Sequence, residues 1–104
     1  MSIVSQAAFE TYSVLTRLPD PHRMGAGVVR TWLDREFSDR WIGLPAGALR
    51  LALGRLEQLR VAGGATYDGL IAITAATSGA TLVTLDVRAL PIYQRLGADV
   101  ELVR

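Results

Sequence analysis

Three carboxylates in this 104-residue chain stand at positions where they could do chemistry. Glu10 falls inside a predicted helix, Asp68 in the first turn of a very apolar helix, and Asp86 directly after an apolar strand. Carboxylates that converge repel one another, and a divalent cation is the usual means of offsetting that repulsion. Oxygen ligands without histidine or cysteine favour Mg²⁺ or Mn²⁺ over zinc. If the fold brings the three together, their types therefore predict a hard-cation site.

Each carboxylate also has a purely structural interpretation. Asp68 at a helix N-terminus interacts favourably with the helix dipole. Asp86 can begin a turn or cap the next helix, and Glu10 can be a solvated residue on the same helix face as Arg17. The acids are 58 and 18 residues apart, so no local spacing joins them.

The composition narrows the other possibilities. The chain has no cysteine, which excludes disulfide scaffolds, thiolate zinc sites and cysteine nucleophiles. It has one histidine, His22. Half of the residues are apolar and the net charge is +1, which indicates a globular domain without an overall basic surface. No apolar run approaches the ~18 residues that a membrane span needs. The length is that of one domain, which we place at residues 1–104.

Alternating helices and short strands must position these acids. The pattern predicts helices over 6–18 (capped by Ser5), 27–37, 46–59, 66–78 (capped by Thr66 and ended by Gly79) and 88–96, and short strands at 1–4, 40–44, 81–85 and 99–103. This order predicts an α/β fold with a mainly parallel sheet.

Two of these elements carry specific expectations about burial. In the third helix, a stripe of leucines is expected to face inward: Leu49, Leu53, Leu56 and Leu59. The strand 81–85 is expected to be buried on both faces. Asp86 would then lie beyond the carboxyl end of a parallel strand, where functional groups gather in such sheets.

Three segments resemble PIN domains. Residues 9–19 (Phe-Glu-Thr-Tyr-Ser-Val-Leu-Thr-Arg-Leu-Pro) look like the helix that carries that family's second acid. Residues 63–72 (Gly-Gly-Ala-Thr-Tyr-Asp-Gly-Leu-Ile-Ala) resemble the segment with the third acid, and residues 82–90 (Leu-Val-Thr-Leu-Asp-Val-Arg-Ala-Leu) the Thr-x-Asp strand end with the fourth. The resemblance covers essentially the whole chain. It is strongest to the VapC-type toxins of bacterial toxin–antitoxin pairs.

The resemblance implies a PIN-like parallel sheet flanked by helices and a metal-dependent endoribonuclease activity. Glu10, Asp68 and Asp86 would hold Mg²⁺ or Mn²⁺. Thr84 would orient a carboxylate or a metal-bound water, although it also suits a strand as a β-branched residue. Arg17 would contact an RNA phosphate. The resemblance further implies an RNA substrate, a small antitoxin partner, a homodimer, and a cytoplasmic protein that does not associate with membranes.

The chain departs from the family pattern at its start. The family's first strand, which ends in an aspartate, and its following helix have no counterpart here; the nearest candidate, Asp20, lies in a proline-flanked turn. We therefore expect an N-terminally truncated PIN domain that lacks the first βα unit. A missing carboxylate weakens a metal site, which leaves an alternative: a catalytically inactive PIN remnant that binds an antitoxin or dimerises.

Overall fold

The computed structural model describes residues 2–39, 41–84 and 87–102, which form five α-helices and four short strands. Both strand pairs within these residues are parallel. The predicted α/β class is therefore confirmed. The chain divides into two compact units, Met1–Gly43 and Leu44–Arg104.

The first unit contains two helices and one parallel strand pair. Its elements are β1 (Ile3–Val4), α1 (Ser5–Thr16), α2 (Ala26–Glu36) and β2 (Trp41–Ile42). In the strand pair, Ile3 lies opposite Trp41 and Val4 opposite Ile42. Val4, Ala8, Val29, Leu33 and Ile42 are the buried hydrophobic residues of this unit. Each strand thus contributes one side chain to this small core.

The start of α1 differs from the prediction. Val4 occupies the N-cap position, so the predicted capping by Ser5 is wrong. The Ser5 hydroxyl instead donates a hydrogen bond to the Ile42 carbonyl at 3.2 Å, which ties the helix to β2. Within α1, Ala8 is buried whereas Tyr12 is 40% exposed. The helix ends at Thr16, ahead of Pro19, since a residue before proline avoids the helical conformation.

The second unit contains three helices and the other parallel strand pair. Its elements are α3 (Ala46–Gln58), α4 (Ala65–Thr77), β3 (Thr81–Thr84), a 3₁₀ turn (Val87–Ala89), α5 (Leu90–Arg95) and β4 (Asp99–Leu102). Thr81 pairs with Asp99 at one end of the strands and Thr84 with Leu102 at the other. The buried cluster of this unit comprises Ala52, Leu56, Val61, Ala72, Ile73, Ala89, Tyr93, Leu96 and Ala98.

Helix α4 packs closely against its neighbours. Its residues Ile71–Ala75 are all buried, and so is Gly69. A Cβ atom at Gly69 would lie 2.5 Å from Leu56 Cδ2 and 3.3 Å from both Val61 Cγ1 and Leu96 Cδ1. The missing side chain therefore lets α4 approach α3, the α3–α4 connection and the end of α5.

The predicted leucine stripe of α3 is wrong in part. Ala52 and Leu56 are buried, whereas Leu49 is 36% and Leu53 is 67% exposed. The inward face of α3 is therefore rotated from the predicted leucine stripe toward Ala52. The small residues Ala52 and Gly69 explain this rotation, because α3 can lie closest to α4 where the side chains are smallest. The buried positions of the helix are 52 and 56, and Leu59 after it is half-buried.

Strand β3 is not buried on both faces, contrary to the prediction. Thr81 and Val83 are exposed, while Leu82 and Thr84 are half-buried. This alternation is typical of a strand that is covered on one face, here by α4. The predicted strand ends at Met1, Arg40, Leu85 and Val103 lie outside the described residues.

Two further predicted boundaries also shift. Thr66 does not cap α4, because Gly64 is the N-cap residue and makes no side-chain capping bond. The predicted helix 88–96 begins as the 3₁₀ turn, and α5 follows with Pro91 in its first turn. Proline fits there because the first turn of a helix needs no internal N–H donor.

Gly69 supplies a test of this packing. Gly69→Val should lower the free energy of unfolding by about 1–3 kcal/mol, because the added side chain overpacks the contact with Leu56. Gly54→Val is the matched control, since Gly54 lies within α3 with nothing within 4 Å of its Cβ position. The control should change stability by no more than about 0.5 kcal/mol in urea unfolding. Equal losses in the two variants would contradict the close packing of α4.

Candidate active site

Asp68 lies in the first turn of α4, as predicted, and is half-buried. The first turn of a helix carries N–H groups without helical partners and the positive end of the helix dipole, both of which favour a carboxylate. The position itself therefore suits a negative charge. The favourable helix terminus also offsets part of the repulsion that a second carboxylate would bring.

The connection between α4 and β3 returns the chain to the Asp68 end of the helix. Gly79, with a φ of 68°, forms the turn after α4, and α4 packs against β3. From Asp68 to Thr77 the helix rises about 14 Å, and from Thr81 to Thr84 the strand returns about 10 Å. Thr84 therefore lies toward the same edge of the second unit as Asp68. Thr84 is half-buried there.

Asp86 follows Thr84 by two positions in the sequence and lies outside the described residues. The prediction that its carboxylate joins Asp68 therefore rests on the chain order alone. Strand β3 directs the backbone toward this edge.

Glu10 and Arg17 belong to the first unit. Glu10 is exposed within α1, and Arg17 is the exposed residue that follows the helix as its C-cap. The side chain of Gln6, one turn before Glu10, has a buried oxygen without a hydrogen-bond partner among the described residues. The i, i+4 spacing places Gln6 and Glu10 on the same face of the helix, but no signal in the sequence marks the Gln6 oxygen as buried.

The donor chemistry fits a hard divalent cation. Within the described residues of either unit, no three histidine or acidic side chains form a ready-made metal cluster. The candidate ligands are all oxygen donors, and a buried acceptor such as the Gln6 oxygen is satisfied by a water molecule or a cation. The convergence of Glu10, Asp68 and Asp86 stays a prediction.

The first unit also has an apolar groove, defined by residues of α1, α2 and β2. Its volume is about 540 Å³, and it is lined mainly by Ala8, Phe9, Tyr12, Ala26, Gly27, Leu33 and Trp41. The rings of Phe9 and Trp41 meet edge to face at 6.4 Å, and both side chains are exposed. Arg30 and Asp34, whose charged groups are 3.7 Å apart, complete the lining. Such a surface suits another apolar surface better than a phosphate backbone.

An α/β fold with parallel strands hosts many unrelated functions, and a carboxylate at the start of a helix does not by itself single out one of them. Comparison with known proteins narrows these functions. Ribonuclease VapC40 of two Mycobacterium tuberculosis strains, CDC 1551 / Oshkosh and ATCC 25618 / H37Rv, is 46% identical over 101 residues, which cover 97% of this chain and 75% of the relative. Ribonuclease VapC27 of strain ATCC 25618 / H37Rv is 35% identical over 99 residues, or 95% of this chain and 72% of the relative.

The chain belongs to the VapC-type PIN ribonuclease toxins. The predicted resemblance is thereby confirmed. No protein-family model and no solved structure matches the chain. None of the helices in residues 2–39, 41–84 and 87–102 is long and apolar enough to cross a membrane.

Cation binding at Asp68 can be measured without any RNA. Mg²⁺ or Mn²⁺ should raise the melting temperature of the parent chain, because a ligand at about 100 times its dissociation constant adds about 2.7 kcal/mol of stability. Asp68→Asn should abolish the rise. Asp99→Asn is the matched control, since this exposed acid lies at the opposite end of the β3–β4 pair. An equal rise in all three proteins would contradict a cation site at Asp68.

Proposed function

We propose that this protein is an endoribonuclease that hydrolyses RNA phosphodiester bonds with Mg²⁺ or Mn²⁺. The observation that carries the proposal is the 46% identity to Ribonuclease VapC40 across 97% of the chain. The placement of Asp68 in the first turn of α4, with Thr84 toward the same edge, supports it. The reaction class is inferred from the family, and the metal ligands are inferred from the carboxylates of this chain.

Glu10, Asp68 and Asp86 are the residues that would hold the cation. When bound, it lowers the pKa of a water molecule and offsets the charge that develops on the phosphate. Thr84 would orient a carboxylate or a water through its hydroxyl group, which can both donate and accept a hydrogen bond. Arg17, exposed beyond the end of α1, would bind a phosphate oxygen of the RNA.

The proposal includes the remaining family properties that the sequence implies. These are a small antitoxin as protein partner, a homodimeric assembly and a cytoplasmic location. The one-domain organisation over residues 1–104 is also part of the proposal.

The activity is tested with total bacterial RNA and the purified 104-residue chain. The parent should cleave in Mg²⁺ and stop in EDTA. Asp68→Asn should cleave at least about 100-fold more slowly, because the loss of a residue that only hydrogen-bonds to a metal ligand already costs about 10–100-fold. Thr84→Val, which keeps the shape of the side chain, should show a smaller loss. Asp99→Asn should cleave like the parent. A parent chain without activity, or an active Asp68→Asn variant, would overturn the proposal.

A second candidate function is a catalytically inactive module that binds an antitoxin or dimerises. The apolar groove of the first unit favours it, because exposed aromatic side chains such as Phe9 and Trp41 suit a protein interface. This candidate predicts a stable complex with the small protein encoded beside it, in the absence of RNA cleavage. Failure of the two proteins to co-purify would exclude the antitoxin-binding form of this candidate.

A further inference from the structure

Three helices of the second unit end in the same hydrogen-bonded turn, each within the described residues. After α4, Gly79 and Ala80 donate to the carbonyls of Ala76 and Ala75. After α5, residues 97 and 98 donate to residues 94 and 93, and after α3, residues 60 and 61 donate to residues 57 and 56. These are Schellman turns, in which the first residue past the cap adopts a left-handed conformation.

The turn after α3 differs from the other two in the residue that adopts the left-handed conformation. Gly79 and Gly97 adopt φ angles of 68° and 79°, whereas the turn after α3 uses Arg60 at a φ of 57°. Among the residues that the structure describes, Arg60 is the one non-glycine residue with a positive φ. The left-handed conformation brings an arginine Cβ too close to the backbone, a strain that glycine avoids.

The end of α3 already has a basic residue that needs no left-handed conformation. A basic residue in the last turn of a helix interacts favourably with the helix dipole. Arg55 already occupies the last turn of α3 in an ordinary helical conformation. A strained residue that the local fold does not require is a reason to look for a function.

The packing of the next residue places Arg60 near Asp68. Val61 is buried, and its Cγ1 would lie 3.3 Å from a Cβ atom at Gly69. Arg60 precedes Val61 and Asp68 precedes Gly69, so each is the chain neighbour, one Cα–Cα step of about 3.8 Å, of a residue in this contact. Arg60 is exposed, and a Cβ atom at Gly63 or Gly64 would have nothing within 4 Å. The α3–α4 connection therefore has open space beside a charged side chain and the candidate ligand.

We propose that Arg60 binds a phosphate of the RNA strand beside Asp68 and thereby holds the strand on the protein. The inference rests on the proposed ribonuclease function. The guanidinium group is always charged and binds phosphate oxygens through two parallel hydrogen bonds. The strained conformation at residue 60 is retained because it carries this side chain, which glycine lacks.

The test separates RNA binding from stability in the full chain. Arg60→Gln and Arg60→Gly are compared with Arg50→Gln. Arg50 is an exposed arginine within α3, about 15 Å before Arg60 along the helix axis. Fluorescence anisotropy with a labelled single-stranded oligouridine in EDTA measures affinity over a range of NaCl concentrations. Cleavage of the same RNA in Mg²⁺ gives KM and kcat, and thermal melting gives stability.

Both Arg60 variants should bind the oligouridine about 3- to 10-fold more weakly, with the slope of log affinity against log salt reduced by about 0.7, because one phosphate contact is lost. KM should rise with kcat little changed. Arg60→Gly should melt at or above the parent's temperature, because the backbone strain is relieved. Arg50→Gln should keep the parent's salt slope.

Several results would overturn the role of Arg60. These are an unchanged salt slope in the Arg60 variants, an equal loss in Arg50→Gln, a lower melting temperature for Arg60→Gly, or a parent chain that does not bind the oligouridine. A parent chain that binds RNA but does not cleave it would contradict the proposed function alone. The binding comparison would still decide the role of Arg60.

Discussion

The contact between Gly69 and its neighbours is the constraint on which the second unit depends. Leu56, Val61 and Leu96 come from α3, from the α3–α4 connection and from the residue after α5, and all three approach the space that a Gly69 side chain would fill. This contact fixes the depth and rotation of α4. Because Asp68 precedes Gly69, the same contact holds the start of the helix, and with it the candidate carboxylate, against the core.

The sequence pattern predicts where the helices and strands lie in the chain better than it predicts which side of each one is buried. Helix periodicity and the glycines at 79 and 97 locate α3, α4 and α5 to within a few residues, because these signals are local. The predicted inward face of α3 is partly wrong because helix rotation depends on the partner, and Ala52 with Gly69 allows a closer approach than leucines do. Ser5 shows the same limit, since its hydroxyl bonds to Ile42, a residue distant in the sequence.

Some features of the candidate site can likewise be predicted from the sequence, and others cannot. The placement of Asp68 in a first helical turn can be predicted from the sequence, because apolar residues follow the glycine pair at 63–64. The strand that leads to Thr84 can be predicted as well. The buried Gln6 oxygen and the left-handed Arg60 have no local signature, because burial and backbone strain arise from tertiary packing. The predicted convergence of Glu10 with acids 58 and more residues away likewise has no local signature in the sequence.

The central claim is that carboxylates from separate parts of the chain hold one cation. The most direct measurement is Mn²⁺-induced broadening of backbone amide resonances in the ¹⁵N-labelled protein, because a paramagnetic ion broadens the signals nearest to it. The account predicts that substoichiometric Mn²⁺ broadens the amides of Asp68, Thr84, Asp86 and Glu10 together. It is contradicted if those signals stay sharp, or if broadening centres instead on the acidic end of α2 at Asp34 and Glu36.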